Sequence, residues 1–272
     1  HVFCRKDQIK EEMKKIWDIA DTFYHAVGFE KLTVRLSLHD PQEPKKYLGS
    51  PKVWQRAEQT LRELIKEKKI HAVEAPGQAA FYGPKIDFMA HDSLGREWQV
   101  ATIQLDMNMP ERFDLFCINE KGGKERIVMI HAAIMGSLER FLSILIEHYA
   151  GAFPVWLAPV QAVLLPVSDR FLGYAESLLK ELKQKNIRAE LDASNETLGK
   201  RIRQAQLQKI PYLLIAGERE QTSNTVAVRG RGDVDKGVMT REQFADIIDK
   251  ELPHPELRNS PNIVIASEAK QF

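Results

Sequence analysis

Pro84-Lys85-Ile86-Asp87-Phe88-Met89-Ala90, a turn at Asp92-Ser93-Leu94-Gly95, and the run from Arg96 to Asp106 read as two strands joined by a tight turn, an antiparallel hairpin. Working outward, the residues before the hairpin carry helical spacing. Ile9, Met13, Ile16, Trp17, Ala20, Phe23, Tyr24 and Val27 form one apolar stripe that stops at Gly28, the pattern of an amphipathic helix. Leu32, Val34, Leu36 and Leu38 alternate with polar neighbours as a half-buried strand does. Ser50-Pro51 has the cap-then-proline form of a helix start. After the hairpin, Arg126 to His131 predicts another strand. It leads into a helix with Leu138, Phe141, Leu142, Leu145, Ile146 and Tyr149, apolar enough to be expected in a core.

A different rhythm begins after Pro154 to Pro159. Strands are expected at 160–167, 187–191, 211–216 and 225–229, with helices at 171–185, 198–209 and 241–252. Such alternation implies a sheet covered by helices, with parallel crossovers. The chain therefore divides into a first domain at 1–153, a linker at 154–159, a second domain at 160–257, and a tail at 258–272 that continues neither pattern. The expected fold class is α/β: an α+β core built on an antiparallel sheet, followed by a mixed-sheet α/β domain.

The 272 residues suit two domains. With 43% apolar and 28% charged residues, the chain is not disordered or low-complexity. Lys plus Arg minus Asp plus Glu is 39 − 38 = +1, so any nucleic-acid surface must be local. Cys4 and Cys117 are the only cysteines, which excludes a disulfide framework and suggests a reducing, cytoplasmic setting. No apolar run reaches the ~18 residues of a membrane span. The start on His1 rather than Met suggests that sequence upstream is missing.

Several residues could carry chemistry. On a regular strand Gln99 and Gln104 face opposite sides, and only a bulge or bend brings both to one site. Arg140, inside an apolar helix, must be paired or stacked; a structural ion pair and a ligand stacked on its guanidinium both fit. His131, at the end of an apolar strand, is either a hydrogen-bonded structural residue or a metal ligand. Lys200, Arg201, Arg203, Lys209, Arg229 and Arg231 are either a solvated face or, interleaved with Asn195, Glu196 and Glu220, a surface for single-stranded RNA.

Four longer segments together resemble one family. They are Ala80-Phe81-Tyr82-Gly83-Pro84-Lys85-Ile86, Trp98 through Asp106, Ile130-His131 through Ile134-Met135-Gly136-Ser137-Leu138-Glu139-Arg140-Phe141, and Trp156-Leu157-Ala158-Pro159-Val160-Gln161. The chain to about Leu257 resembles the class IIa threonyl-tRNA synthetases, from the C-terminal part of the catalytic domain through the anticodon-binding domain.

The resemblance implies ATP-dependent formation of threonyl-adenylate and transfer of threonine to tRNA(Thr). By it, Arg140 is the motif 3 arginine against ATP, Lys85 lies near the reacting carboxyl and phosphate groups, and Gln99 and Thr102 contact ATP. Tyr82, Gln104 and Ala133 lie around threonine. His1 and His131 match two ligands of a zinc ion whose third ligand is a cysteine absent from this chain. Asn195, Lys209, Glu220 and Arg229 match anticodon contacts. Lys209 stands where the family often has Arg, and Ala132 where an arginine commonly follows the zinc histidine. ATP with Mg²⁺ is the implied substrate, a homodimer the implied assembly, and zinc the means of rejecting valine, which lacks the hydroxyl.

Motifs 1 and 2 are not among these residues, so the isolated chain is expected to be inactive and to bind zinc tightly only in a longer polypeptide. The alternatives are a non-catalytic synthetase-like tRNA-binding or regulatory protein, a related synthetase for proline, histidine or glycine, and an interaction domain without a ligand.

Overall fold

The computed structural model describes residues 1–29, 31–92 and 94–252. The expected tail at 258–272 lies outside them. The chain forms two compact units that divide between Leu145 and Ile146.

In the first unit, β1 (Val2–Cys4), α1 (Ile9–Ala26), β2 (Thr33–Leu38), α2 (Pro51–Glu67) and β3 (Ala72–Pro76) precede the hairpin of β4 (Lys85–His91) and β5 (Glu97–Asp106). A short helix, α3 (Met109–Arg112), leads to a small ribbon, β6 (Phe116–Ile118) with β7 (Lys124–Arg126), then β8 (Val128–Ala133) and α4 (Leu138–Tyr149), within which the division falls. The sheet order is β1-β8-β5-β4-β2-β3, and only the β2–β3 pair is parallel.

Period-2 alternation gives this sheet two unlike faces. Cys4, Val34, Leu36, Ile86, Phe88, Ile103, Leu105, Val128 and Ile130 are buried on one side. The apolar stripes of α1 and α2 supply buried Met13, Ile16, Trp17, Trp54, Leu61 and Leu64. The Trp17 ring meets the Phe88 ring edge-on at 5.0 Å, tying α1 to the hairpin. The opposite face is polar and carries the candidate site.

The helix start at Ser50 is borne out, but its hydroxyl makes no cap bond. Its backbone carbonyl accepts from Val53 and Trp54 instead. The expectation of a buried helix at 138–149 needs correction. Only Phe141, Ile144 and Leu145 of α4 are buried, while Leu138, Leu142 and Ile146 are exposed.

The hairpin turn is organised by Asp92, whose carboxylate accepts from the Leu94 and Arg96 amides (3.0 and 2.8 Å) and from Arg96 Nε and Trp98 Nε1 (2.5 and 2.8 Å). Desolvation pushes its pKa up, but the bonds from Trp98, Arg96 and Leu94 outweigh it and bring the group down to about 2. A depressed carboxylate contributes stability at pH above its unfolded pKa of about 4 and loses it as pH falls through the folded value. Acid titration of Asp92→Asn should therefore show a smaller loss of thermal stability between about pH 4 and pH 2 than the wild type.

The second unit contains β9 (Ala162–Pro166), α5 (Leu172–Gln184), β10 (Ala189–Leu191), α6 (Leu198–Leu207), β11 (Tyr212–Ala216), α7 (Glu218–Ser223), β12 (Thr225–Gly230), β13 (Val234–Thr240) and α8 (Arg241–Glu251). Its sheet runs β10-β9-β11-β12-β13, parallel among the first three strands and antiparallel thereafter. On one face Ala175, Leu178 and Leu182 of α5 and Phe244, Ala245 and Ile248 of α8 pack on Ala162, Leu164, Leu214 and Val228. On the other, Ala205 of α6 covers Val163, Leu165 and Leu213. Burial on both faces is why β9 reads as an unbroken apolar run.

Three arginines tie this unit together through backbone carbonyls. Arg188 donates to Trp156 and Ala158, Arg201 to Asp192 and Pro166, and Arg231 to Lys209, Ala152 and Phe153. Burial lowers the Arg231 pKa.

Candidate active site

The register of the central hairpin builds the site. Asp87 lies opposite Thr102 and Phe88 opposite Ala101, but Met89 lies opposite Gln99. Val100 is therefore an extra residue, a bulge that shifts the parity of β5 by one. Gln99 moves to the face shared by Thr102, Gln104 and Lys85, the arrangement that a regular strand forbids. The bulge is held from both sides. The Tyr24 hydroxyl of α1 lies 2.8 Å from Val100 O and 2.7 Å from Ile134 O, sharing its proton between them. Gly136, at φ +61, passes so close that a Cβ there would stand 3.0 Å from Val100 O.

On this polar face a fully buried Asp87 gathers five donors. Its Oδ1 accepts from Gln99 Nε2 (2.8 Å) and Thr102 Oγ1 (2.9 Å). Its Oδ2 accepts from Ser37 Oγ (2.7 Å), Lys85 Nζ (2.6 Å) and Arg35 Nη2 (3.5 Å). Sequence reasoning missed Asp87, Arg35 and Ser37. The available signal was a carboxylate inside the apolar run Ile86 to Ala90, because a charge in such a strand must be paired.

Arg140 lies in the first turn of α4 and reaches back to this cluster. Its Nη1 donates to Gln99 O at 3.3 Å, and its guanidinium stands 5.9 Å from the Trp98 ring centroid. Although it sits in an apolar helix, Arg140 is exposed. Its neighbour Glu139 instead accepts from Ser137 Oγ at 2.8 Å. Of the two readings offered by the sequence, the structure supplies no ion pair for Arg140 among the described residues.

The other end of the face gathers Tyr82, Gln104, Asp106, Ala133, His131 and His1. Gln104 lies opposite His131 on β8, and Thr102 opposite Ala133. Gln104 Nε2 donates to Gly83 O at 3.0 Å. The Tyr82 ring stands 5.2 Å from the His131 ring, and burial together with the charge of Asp106 raises its phenol pKa. Asp106 is fully buried. Its Oδ1 accepts from the Asn108 and Met109 amides, and its Oδ2 lies 3.0 Å from His131 Nε2.

The His1 ring meets the His131 ring edge-on at 4.7 Å. Among the described residues no third His, Cys, Asp or Glu joins them in a group able to hold a metal. The two imidazoles fit part of a zinc site without completing one. Cys4 projects to the other face, where burial first, then Glu12 and Asp7, push its thiol up to about 11.

In the second unit the four proposed RNA contacts are not brought into one cluster by mutual bonds among the described residues. Asn195 is exposed in the loop before α6. Glu220 caps α7 by accepting from the Gly217 amide at 3.0 Å. Arg229 pairs with Asp233 at 2.9 Å. Lys209, at φ 57, turns the chain after α6, and its ammonium is bonded to Ala150 O. The basic set on α6 also divides. Arg201 is buried, Lys200 pairs with Glu196 at 2.6 Å, and Arg203 is exposed.

Residues 1–149 match the family model of the tRNA synthetase class II core domain (G, H, P, S and T), and residues 161–251 match that of the anticodon binding domain. The chain belongs to the class II tRNA synthetases. A threonine–tRNA ligase of Porphyromonas gingivalis is 50% identical over 252 residues, 93% of this chain and 39% of the relative. One from Bacteroides fragilis is 46% identical over the same share of each. The crystal structure of the RNA binding domain of threonyl-tRNA synthetase from Cryptosporidium parvum superposes with a TM-score of 0.84 at 36% identity, covering 92% of this chain and 62% of that one. The chain spans about two fifths of the length of the curated relatives it matches. Among the described residues no helix is long and apolar enough to cross a membrane.

Proposed function

We propose that this chain is the part of a threonine–tRNA ligase that carries one wall of the activation site and the anticodon-binding domain, with the domains at 1–153 and 160–257. The observation that carries the reading is the bulge at Val100, which aligns the ATP-side and threonine-side candidates on one sheet face. The identity with threonine–tRNA ligases supports the choice of amino acid.

In the first step a threonine carboxylate oxygen attacks the α-phosphate of ATP and pyrophosphate leaves. Arg140 lies against the adenine and phosphates, where a planar cation both stacks and neutralises. Lys85 places an ammonium beside the reacting groups, and Gln99 and Thr102 hold the nucleotide. Charge stabilisation of this kind carries phosphoryl chemistry without a covalent enzyme intermediate. In the second step the terminal adenosine of tRNA(Thr) takes the threonyl group.

Tyr82, Gln104 and Ala133 surround the amino acid. His1 and His131 would supply two of the ligands of a zinc ion, and the ion would act as a Lewis acid toward the amino and hydroxyl groups of threonine. Asp106 fixes the His131 ring through Nε2 and leaves Nδ1 as the nitrogen to donate. Asn195, Glu220, Arg229 and Lys209 face the anticodon. Lys209 must first release Ala150, and Arg203 offers a second cation on α6. The reading implies a cytoplasmic, homodimeric protein using ATP with Mg²⁺.

Two measurements test this. Threonine-dependent ATP–pyrophosphate exchange by the polypeptide carrying these residues is expected, and exchange driven by proline, histidine or glycine instead would overturn the amino-acid assignment. A tRNA(Thr) transcript should be retained by the 272-residue chain in filter binding. Its affinity should fall roughly tenfold or more from about 50 to 200 mM salt as phosphate contacts are screened. Retention insensitive to salt would count against the RNA surface.

A further inference from the structure

We propose that Asp87 is the positioning residue that sets the hydrogen-bond polarity of the nucleotide side of the site. The inference rests on the ATP reading given above for Gln99 and Thr102, and deepens it.

The argument is an inventory of protons. Gln99 has two amide hydrogens. Their nitrogen donates both to Asp87 Oδ1 at 2.8 Å and to Thr102 Oγ1 at 2.7 Å. Thr102 has one hydroxyl hydrogen, and it too goes to Asp87 Oδ1, at 2.9 Å. Both side chains therefore turn their donor atoms inward, toward a carboxylate that has no exposed surface. What they have left is acceptor capacity: the second lone pair of Gln99 Oε1, whose first is met by Arg35 Nη2 at 3.4 Å, and the remaining lone pair of Thr102. A flipped Gln99 amide would set its oxygen against Asp87 and is excluded by repulsion between acceptors.

The other donors make the carboxylate immobile. Ser37 and Lys85 hold Oδ2 at 2.7 and 2.6 Å, and Arg35, opposite Asp87 on β2, adds a longer contact at 3.5 Å. Arg35 also lies 3.4 Å from Gln99 Oε1, helping to keep that oxygen turned away from the carboxylate. The site thus separates two polarities. Lys85, Arg35 and Arg140 are cationic and suit phosphate, whereas the Gln99–Thr102 pair accepts and suits a hydroxyl donor of the nucleotide, not a phosphate oxygen. Asp87 touches no substrate atom in this arrangement and acts through its neighbours.

The test compares steady-state exchange in the wild-type ligase carrying these residues with that of Asp87→Asn. An asparagine brings its own amide hydrogens into a ring of donors, so Gln99 and Thr102 lose their fixed orientation. The KM for ATP is expected to rise at least tenfold and by clearly more than the KM for threonine, which shares only Lys85 with the ring of donors around Asp87, because Tyr82, Gln104 and His131 are held by other bonds. In combination with Gln99→Ala, the two effects should be markedly less than multiplicative, since both remove the same oriented acceptor.

If the Asn variant does not fold, Asp87→Glu carries the test. It keeps the charge, pushes the oxygens out by one methylene, and must show the same split. An ATP KM within twofold of wild type, a parallel rise for threonine, or fully multiplicative effects would each overturn the proposal while leaving the functional reading intact. Absence of threonine-dependent exchange in the wild type overturns both.

Discussion

Replacing Arg140 by Ala is expected to lower threonine-dependent pyrophosphate exchange roughly 10²–10³-fold, equivalent to ~3–4 kcal/mol of transition-state stabilisation. The fold should hardly notice. Arg140 is exposed and, among the described residues, its guanidinium's one hydrogen bond is to Gln99 O at 3.3 Å, so a thermal midpoint within a few degrees of wild type is the companion result. The guanidinium has donors left for a ligand because Glu139 is engaged by Ser137, and the Trp98 ring centroid stands 5.9 Å away. Arg140→Lys keeps the charge but loses the plane and the fork of donors, and should recover less than tenfold of the lost rate. A variant that exchanges at the wild-type rate would remove Arg140 from the site.

Gly83→Ala is expected to be among the most disruptive single-methyl additions in the first unit. A Cβ at this position would stand 2.2 Å from Leu105 O and 3.1 Å from Leu105 C. Neither atom can retreat, because the Leu105 amide is itself bonded to Pro84 O at 3.1 Å. Overpacking against backbone costs about 3 kcal/mol, read as a lower denaturant midpoint. The damage reaches the site, since Gly83 O accepts from Gln104 Nε2 and Tyr82 adjoins it. The KM for threonine should rise more than that for ATP in whatever fraction folds. Wild-type stability in Gly83→Ala would mean that the loop and β5 do not approach as described.

Much of the fold was legible because its residues repeat. The stripe from Ile9 to Val27 and the alternation from Leu32 to Leu38 each mark a surface facing a core, and α1 and β2 appear where that periodicity predicts. The strand at 234–240 leaves no mark in the sequence because Val234, Asp235, Lys236, Gly237 and Val238 are all exposed. A strand held by backbone pairing with β12 leaves no apolar pattern. The burial of α4 was over-read for the opposite reason: apolar side chains all round a helix do not say which of them find a partner.

The site was legible in part. Arg140 and His131 stand out as polar groups in apolar text. Arg201 and Arg231 were grouped with the solvated cations, yet both spend their guanidinium on backbone carbonyls, a use that charge patterning cannot distinguish. Gln99 was the hardest. Its spacing from Gln104 argued against a shared site, and nothing in the alternation of Trp98 to Asp106 announces that Val100 stands outside it.

That single odd residue has a bearing on how the chain can vary. Between Glu97 and Asp106 a gain or loss of one amino acid would exchange inward for outward along half the strand, swapping grease for ligand groups at every later step. Divergence in this stretch is thereby confined to replacement at fixed length. The Asn119 to Gly123 turn of the small ribbon bears no such burden and is where the first unit can absorb extra residues.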